Sequence, residues 1–445
     1  MNNIFVDFNS AEGKIKPLNG ACCAPFVGSY GPNQSRIINM FREAHIPYCR
    51  LHDCGGIFNH ACLVDIPKIF PNFDADETNP DNYDFHHTDE YIGGIQQSGA
   101  EAYYRLGCSI EWTSKKYVSI MPKDFDKWAR ICERVIMHYN KGWANGFNYN
   151  LKYWEIWNEP ENPGNAFGSC QWSGTKQDLF DLYNVASKYL KQKFPEIKIG
   201  GYGGCGFYAV SRPDAPANRH DFVTYFLDFL QFVKQNNCPF DFYSWHIYTA
   251  RPEEIIVHAK YVRQKLDEFG FFDTESHLNE WNYQAEGTGF KSKHTMDGGS
   301  FLTKAMTLMH RDGTVDMAMY YCMSTQAMYN GFIDQNDGSL SPAWFAYVAF
   351  GHIYSLENSV KTEYDGDIHA IASKNDAEKA ILLSNHRCDD SEVSLSVSDA
   401  DGLTAEIYYC TDDKHLQLEN TIALNKKEPI SLSVPTNTVV LLKIK

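Results

Sequence analysis

The sequence predicts an α/β fold: a (β/α)8 TIM barrel followed by a small antiparallel β-sandwich. Three observations carry this. Short apolar runs alternate with helix-length segments through the first 356 residues. Those runs are apolar at both parities, as strands covered on both faces are. Beyond about residue 356 the long helices stop, and short alternating runs separated by polar turns take over. The barrel is placed at 12–356 and the second unit at 357–445. The strand-like opening at 2–10 is a candidate to join the second unit.

In chain order, the eight candidate barrel strands are LNGACCAPF (18–26), IPYCRLHD (46–53), EAYYRLG (101–107) and YWEIWNE (153–159), then IKIGGYG (197–203), FDFYSWHIY (240–248), HLNEWNY (277–283) and MAMYYCM (317–323). Between them, helical patterning covers 124–140, 176–194, 219–236, 253–269 and 299–312. Asp221, ahead of the apolar FVTYFLDFLQFV, is placed to cap its helix. Strand and helix alternating around eight units is the pattern of a parallel barrel. IHAIASKN, KAILLSNH, SEVSLSVSD, AEIYYCTDD and TVVLLKIK then mark the C-terminal strands.

Composition excludes several functions. The formal net charge of -16 argues against a nucleic-acid surface or an anionic membrane as partner. The N-terminus lacks the basic start and apolar run of a signal peptide, and no run approaches a membrane span. The 13 cysteines are odd in number, irregularly spaced and without CxxC, which fits a reducing compartment. The chain is therefore expected to be soluble and cytoplasmic. There is no HExxH and no zinc-ligand spacing, so no metal is expected. GGYGG (200–204) lacks the frame of a phosphate loop.

In such a barrel, function sits at the C-terminal strand ends. Polar residues gather there: Arg50, His52 and Asp53 on the second strand, Asn158 and Glu159 on the fourth, His246 and Tyr248 on the sixth, Asn279, Glu280 and Trp281 on the seventh. Two carboxylates facing each other across a sugar-sized cleft suit glycosidic bond cleavage, one giving a proton and the other attacking the anomeric carbon or activating water. Apolar surroundings would raise the pKa of the acid, and hydrogen bonds and cations would hold the other low. Glu159, between Trp157 and Pro160, has the setting of the acid, and Arg50 and Tyr248 could stabilise Glu280 as the anion. Glu155 reads as a buried structural group. Trp157 and Trp281 flank the glutamates and are preferred over Trp112 as sugar-stacking platforms.

WEIWNEPEN resembles the Asn-Glu-Pro acid/base motif of the retaining (β/α)8 glycosidases. SWHIYT and LNEWNY resemble the His-x-Tyr and nucleophile segments of the same clan. Together the motifs most resemble glycoside hydrolase family 39, which holds β-xylosidases and α-L-iduronidases, over about residues 46–355. The resemblance implies Glu159 as acid/base, Glu280 as nucleophile, Asn158 on the sugar hydroxyl beside the reacting carbon, Tyr248 orienting Glu280, His246 lining the floor and Arg50 below the nucleophile. It also implies carboxyl groups about 5–5.5 Å apart. Three positions depart from it. Glu161 stands where the family usually has Asn, and Asn279 where Thr is common. The eighth strand ends in YYCMS without the tryptophan found in many clan members.

The expectation is a cofactor-free retaining glycosidase acting on a small oligosaccharide or glycoside, β-xyloside first, with exo action. Arabinosides, glucosides and galactosides stand as alternatives, as does a homo-oligomeric assembly. The rival from another class is a non-catalytic carbohydrate-binding barrel, which would be expected to have lost one carboxylate.

Overall fold

The computed structural model describes residues 2–23, 25, 34–54, 62–111, 115–162, 171–284, 294–323, 331–333, 339–398, 400–425 and 428–445. Its first strand, β1 (Asn2–Lys14), belongs to a second sheet. The next eight close into a parallel barrel: β2 (Gly20–Cys22), β3 (Tyr48–Leu51), β4 (Glu101–Leu106), β5 (Tyr153–Ile156), β6 (Lys198–Gly204), β7 (Phe242–Thr249), β8 (Glu275–Tyr283) and β9 (Met317–Tyr320). Closure occurs at β2, where Ala21 pairs with Cys49 on one side and Tyr320 on the other. All eight predicted strands are present.

One long helix follows each barrel strand: α1 (Gln34–Glu43), α2 (His86–Ser98), α3 (Phe125–Lys141), α4 (Lys176–Lys193), α5 (Ala217–Asn236), α6 (Pro252–Glu268), α7 (Met296–Asp312) and α8 (Pro342–Ser355). Local chemistry sets their ends. Thr175 and Asp178 form a reciprocal capping box on α4, and Asp124 accepts the Lys127 N–H at the start of α3. Asp221 does not cap α5. That helix begins at Ala217, directly after Pro216, so Asp221 lies exposed inside its second turn. Proline is tolerated at a helix start because it has no N–H to leave unpaired, and it outranks a later aspartate as a start signal.

The barrel interior is graded. Its lower layer is apolar and aromatic, with Tyr103 stacked on Tyr153 at 5.5 Å and Phe242 on His277 at 4.8 Å. Its upper layer is charged and opens toward the strand C-termini. The helix layer supplies the rest of the core.

The remaining strands are β10 (Asn358–Tyr364), β11 (His369–Lys374), β12 (Lys379–Asn385), β13 (Glu392–Val397), β14 (Thr404–Cys410), β15 (His415–Ala423), β16 (Ile430–Ser433) and β17 (Thr438–Ile444). With β1 they make one continuous nine-stranded sheet ordered β15-β14-β17-β12-β11-β10-β1-β13-β16. Every pairing is antiparallel except β1 with β13. The inner face carries Ile4, Val6, Ile381, Leu383, Leu395, Val440 and Leu442, all buried, in a cluster drawn only from this sheet and its turns. The face is thus covered by the sheet itself, curled over so that one sheet makes both layers of the sandwich.

Alternation assigns the other face. Ala380, Leu382, Val439 and Leu441 point away from that cluster and join the barrel core, where β12 and β17 lie against α7 and α8. A polar clamp reinforces the seam. Arg387, after β12, holds Asp297 of α7 at 2.8 and 2.9 Å and donates to the Tyr283 hydroxyl at 2.7 Å. Tyr283 in turn donates to Asp297 at 2.5 Å. Among the described residues, no helix is long and apolar enough to cross a membrane.

Leu382 is fully buried in this seam. Leu382→Ala is expected to cost about 2–5 kcal/mol of stability, measured as a lowered denaturation midpoint in urea.

Candidate active site

The site begins with one buried cation. Arg50, at the end of β3, has no solvent exposure. Its Nε meets Glu155 at 2.8 Å, its Nη1 meets Glu280 at 3.0 Å, and its Nη2 donates to the Asn158 side-chain oxygen Oδ1. Glu155 also accepts from Ser244 at 2.6 Å and Asn279 at 2.7 Å. Burial pushes the Glu155 pKa up, but the Arg50 charge and these hydrogen bonds outweigh it and hold the carboxyl below its usual range. Glu155 is the structural group expected from the sequence.

Strand geometry explains who faces inward. On β7, strict alternation turns Ser244, His246 and Tyr248 to the interior, where they reach Glu155, Glu159 and Glu280. On β8, alternation alone could not bring the consecutive Asn279 and Glu280 to one side. A register shift between Trp245 and His246 pairs Leu278 and then Glu280 with successive β7 residues, skipping Asn279. That bulge aims both side chains inward. On β5, the chain reaches Glu159 through left-handed backbone at Trp157 (φ 72°) and Glu159 (φ 40°), pinned by Trp157 N–H to Leu106 O and Glu159 N–H to Gly203 O. Gly203 (φ 62°) closes the floor from β6. A β-carbon there would stand 3.0–3.1 Å from Asn158 Oδ1, Arg50 Nη2 and Glu155 Oε1.

The two candidate catalytic carboxylates are held differently. Glu280 accepts from Tyr248 at 2.6 Å and from Arg50. Glu159 faces His246 Nδ1 at 2.8 Å and accepts from Gln171 at 3.0 Å and Asn162 at 3.1 Å. One oxygen of each carboxylate and one His246 nitrogen all lie within 4.8 Å of one another. Three such groups are close enough to share a metal ion. A cation there would meet the Arg50 guanidinium, already bonded to Glu280 Oε2, so the arrangement reads as a hydrogen-bonded carboxylate pair.

The sequence suggested an acid with a raised pKa, and the structure corrects this. Burial does push Glu159 upward, but hydrogen bonds from His246 and Asn162 and the charge of Arg50 bring it below the usual glutamate range. The strongly raised carboxyls are its neighbours. Asp53 (φ 50°) is pushed up to about 7 by burial and the facing Glu280 charge, against an N–H from Ile110. Its Oδ2 lies 3.4 Å from the Tyr321 hydroxyl and 3.5 Å from His52. His52 is buried and held neutral by burial and by Arg50 and Arg105. Glu161 is pushed up to about 8 by burial and by Glu159. Its Oε1 accepts the Cys205 N–H at 2.5 Å, and its buried Oε2 has no partner among the described residues.

Arg50, His52, Asn158, Glu159, His246, Tyr248 and Glu280 therefore share one cluster. Trp157 and Trp281 do not belong to its lining. Trp281 is fully buried against Phe301 and Tyr320, one residue out of phase with inward-facing Glu280. Trp157 is 2 % exposed, packs on Trp172 and Trp128, and donates its indole N–H to Gln171 O. Both tryptophans brace the strands from the helix layer and offer no sugar-stacking face. Trp112 lies outside the described residues. Sequence reasoning missed Gln171, whose amide bridges Asn158 and Glu159. It lies beyond the end of β5 and no spacing rule marks it. It also missed Tyr321, whose hydroxyl stands by Asp53 on the strand end that lacks the tryptophan of many clan members.

A parallel eight-stranded barrel with two glutamates at the C-terminal ends of β5 and β8, tied to an Arg-Asn-His-Tyr floor, is the architecture of a glycosidase barrel. The chain belongs to glycosyl hydrolases family 39, whose model matches residues 9–271. A glycosyl hydrolase catalytic core model matches 206–347. The β-xylosidase of Geobacillus stearothermophilus is 27% identical over 181 residues, covering 36% of this chain and 32% of that protein. The alpha-1,4-L-rhamnosidase of Formosa agariphila is 20% identical over 168 residues, 37% of this chain and 29% of that one. The matches thus span about a third of each relative's length. In fold, the chain is similar to a glucosidase from Croceicoccus marinus (TM-score 0.81, 21% identity) and a monomeric beta-xylosidase from Caulobacter crescentus (TM-score 0.74, 15% identity). Each likeness covers 100% of this chain and 99% of the other.

Glu161 holds its proton in the folded state across a window where the unfolded chain has lost it. Folding stability therefore falls as pH rises from about 4.5 to about 8. Glu161→Gln removes this titration. Its melting temperature is expected to gain on the wild type between pH 5 and pH 8, as followed by circular dichroism.

Proposed function

We propose that the chain is a retaining glycoside hydrolase cleaving terminal sugars from short glycosides, with β-xylosides as leading substrates. The observation that carries this is the carboxylate pair, whose nearest oxygens lie within 4.8 Å. So close a pair suits direct attack on an anomeric carbon, as in retaining enzymes, whose carboxyl groups stand about 5–5.5 Å apart. Glu280, bonded to Arg50 and to the Tyr248 hydroxyl, attacks the anomeric carbon. Glu159 gives its proton to the leaving oxygen. Glu159 then takes a proton from water, whose oxygen attacks the same carbon and releases Glu280. Asn158, fixed between Arg50 and Gln171, is placed for the hydroxyl beside the reacting carbon. The β-xyloside preference rests on family membership and on the Geobacillus stearothermophilus relative. The twelve described cysteines form no disulfide with one another, which supports a reducing, cytoplasmic setting and so short imported glycosides.

An aryl glycoside panel (β-xyloside, α-arabinoside, β-glucoside, β-galactoside) tests this. One sugar should be hydrolysed with retained anomeric configuration in the first-formed product. Glu280→Gln should lower its kcat by more than about 10³-fold, and Tyr248→Phe by about 10²-fold. Turnover by Glu280→Gln at the wild-type rate would sink the assignment.

Glu159 must be protonated for the first step, and its environment favours the ionised form. Activity should therefore be lost as pH rises through a low basic limb of kcat/KM. Asn162→Ala removes a donor to the ionised form, so that limb should move upward, by about half to one pH unit. A downward or absent shift would contradict the role given to Glu159.

A further inference from the structure

The end of the barrel away from the catalytic cluster carries a second concave site. A cavity of about 520 Å³, in the range of small-ligand pockets, lies where α1 and α8 meet β14, β15 and β17. His45, on its wall, stands three residues before β3 begins, whereas Arg50 lies toward the other end of that strand, inside the catalytic cluster. The cavity therefore belongs to the N-terminal face of the barrel and to its seam with the curled sheet. It shares no lining residue with the catalytic cluster.

The wall gathers cations in a chain whose formal net charge is -16. Arg42 and Lys443 line it together with two imidazoles, His45 and His352. Burial, and after it the Lys443 charge, lowers the proton affinity of both imidazoles, so the ammonium stands close to the two rings. It also lies over the Tyr408 ring at 5.4 Å. Neither cation has a carboxylate partner among the described residues. Arg42 donates instead to the Asn39 side-chain oxygen at 2.8 Å and to Gln97 O at 2.5 Å.

Three carboxylates stand nearby without matching these cations. Glu378 faces His352 at 3.1 Å. Glu406 accepts from the Tyr408 hydroxyl at 3.0 Å and from Lys445 at 3.3 Å. Glu43 lines the wall, yet it pulls on His45 less than Lys443 pushes. Like charges gathered around a cavity favour an anion inside it.

The backbone holds His45 in place. Its φ of 46° is left-handed. Its N–H donates to Arg42 O at 3.1 Å, and the buried Asn19 amide donates to Ala44 O and His45 O at 3.0 and 3.1 Å. A non-glycine residue keeps such a conformation only where its surroundings over-determine it. The rest of the wall is apolar, formed by Val348, Leu416 and Leu441, so a bare ion would leave half the cavity unused. Arg42 and His45 are exposed, and a ligand can enter from solvent.

We propose that this cavity binds a small phosphate monoester. The phosphoryl group sits among Arg42, Lys443 and the two imidazoles, and the organic body lies against Val348, Leu416 and Leu441. Two fixed cations and two imidazole donors suit a dianion with several acceptor oxygens better than a single carboxylate. The ligand bridges α1 and α8 of the barrel to β17 of the sheet, and it stabilises the folded chain by mass action.

Glucose 6-phosphate, glucose and inorganic phosphate test this on the full chain, by scanning calorimetry and by titration calorimetry. Glucose 6-phosphate should raise the melting temperature saturably and bind about tenfold or more tighter than glucose or phosphate alone. Lys443→Gln and Arg42→Gln should each weaken its affinity about tenfold, the scale of one charge-assisted contact. The glucose control reports any sugar held in the catalytic cluster, which neither variant touches. If Lys443→Gln lowers the melting temperature of the ligand-free chain, the exposed Arg42→Gln decides alone. Absence of a saturable rise with the ester, equal affinity for glucose, or unchanged affinity in the variants overturns the proposal. Equal affinity for inorganic phosphate shows that the apolar wall takes no part and overturns the assignment of an organic ester.

Discussion

Everything at the top of this barrel is arranged around a guanidinium that water cannot reach. A buried positive charge is tolerated only when its hydrogen bonds and its charge are met from within. Arg50 is met by Glu155, Glu280 and Asn158, drawn from β5, its trailing loop and β8. Glu155 then needs further donors, which Ser244 and Asn279 supply from β7 and β8. One arginine thus obliges strands distant in sequence to meet in one register. It also explains why Gly203 must be small and left-handed, since the space a side chain would need is taken by the partners of Arg50.

The same frame gives two chemically identical glutamates different surroundings. Glu280 faces a cation and a phenol, and Glu159 faces an imidazole and two amides. Around them stand two carboxyls, Asp53 and Glu161, whose burial favours the protonated form near neutral pH. The site therefore carries less negative charge than its four carboxyl groups suggest. That lowers the cost of bringing Glu159 and Glu280 so close together.

The barrel was legible in the sequence because its signals are local: eight apolar runs, helical periods between them and a change of rhythm after residue 356. Glu159 and Glu280 were legible because each ends a strand inside a short recognisable phrase. What escaped depended on backbone detail or long-range contact. Trp281 looked like a sugar platform because it neighbours Glu280, but neighbours on a strand point to opposite faces. The bulge that places Asn279 and Glu280 on one side leaves no mark in composition. Gln171 reaches Glu159 only through the fold. Asp221 resembles a cap in its local sequence, but Pro216, five residues earlier, is the stronger start signal. The depressed pKa of Glu159 arises from donors on β7 and on the loop after β5, which no reading of its immediate neighbours would assemble.

The clamp formed by Arg387, Asp297 and Tyr283 joins the curled sheet to the last residue of β8, three positions beyond Glu280. The C-terminal strands are therefore part of the mounting of Glu280. Anyone transplanting this catalytic apparatus would have to carry the sheet along as its bracket, because a barrel cut free of it would lose the outer anchor of the strand that aims Glu280.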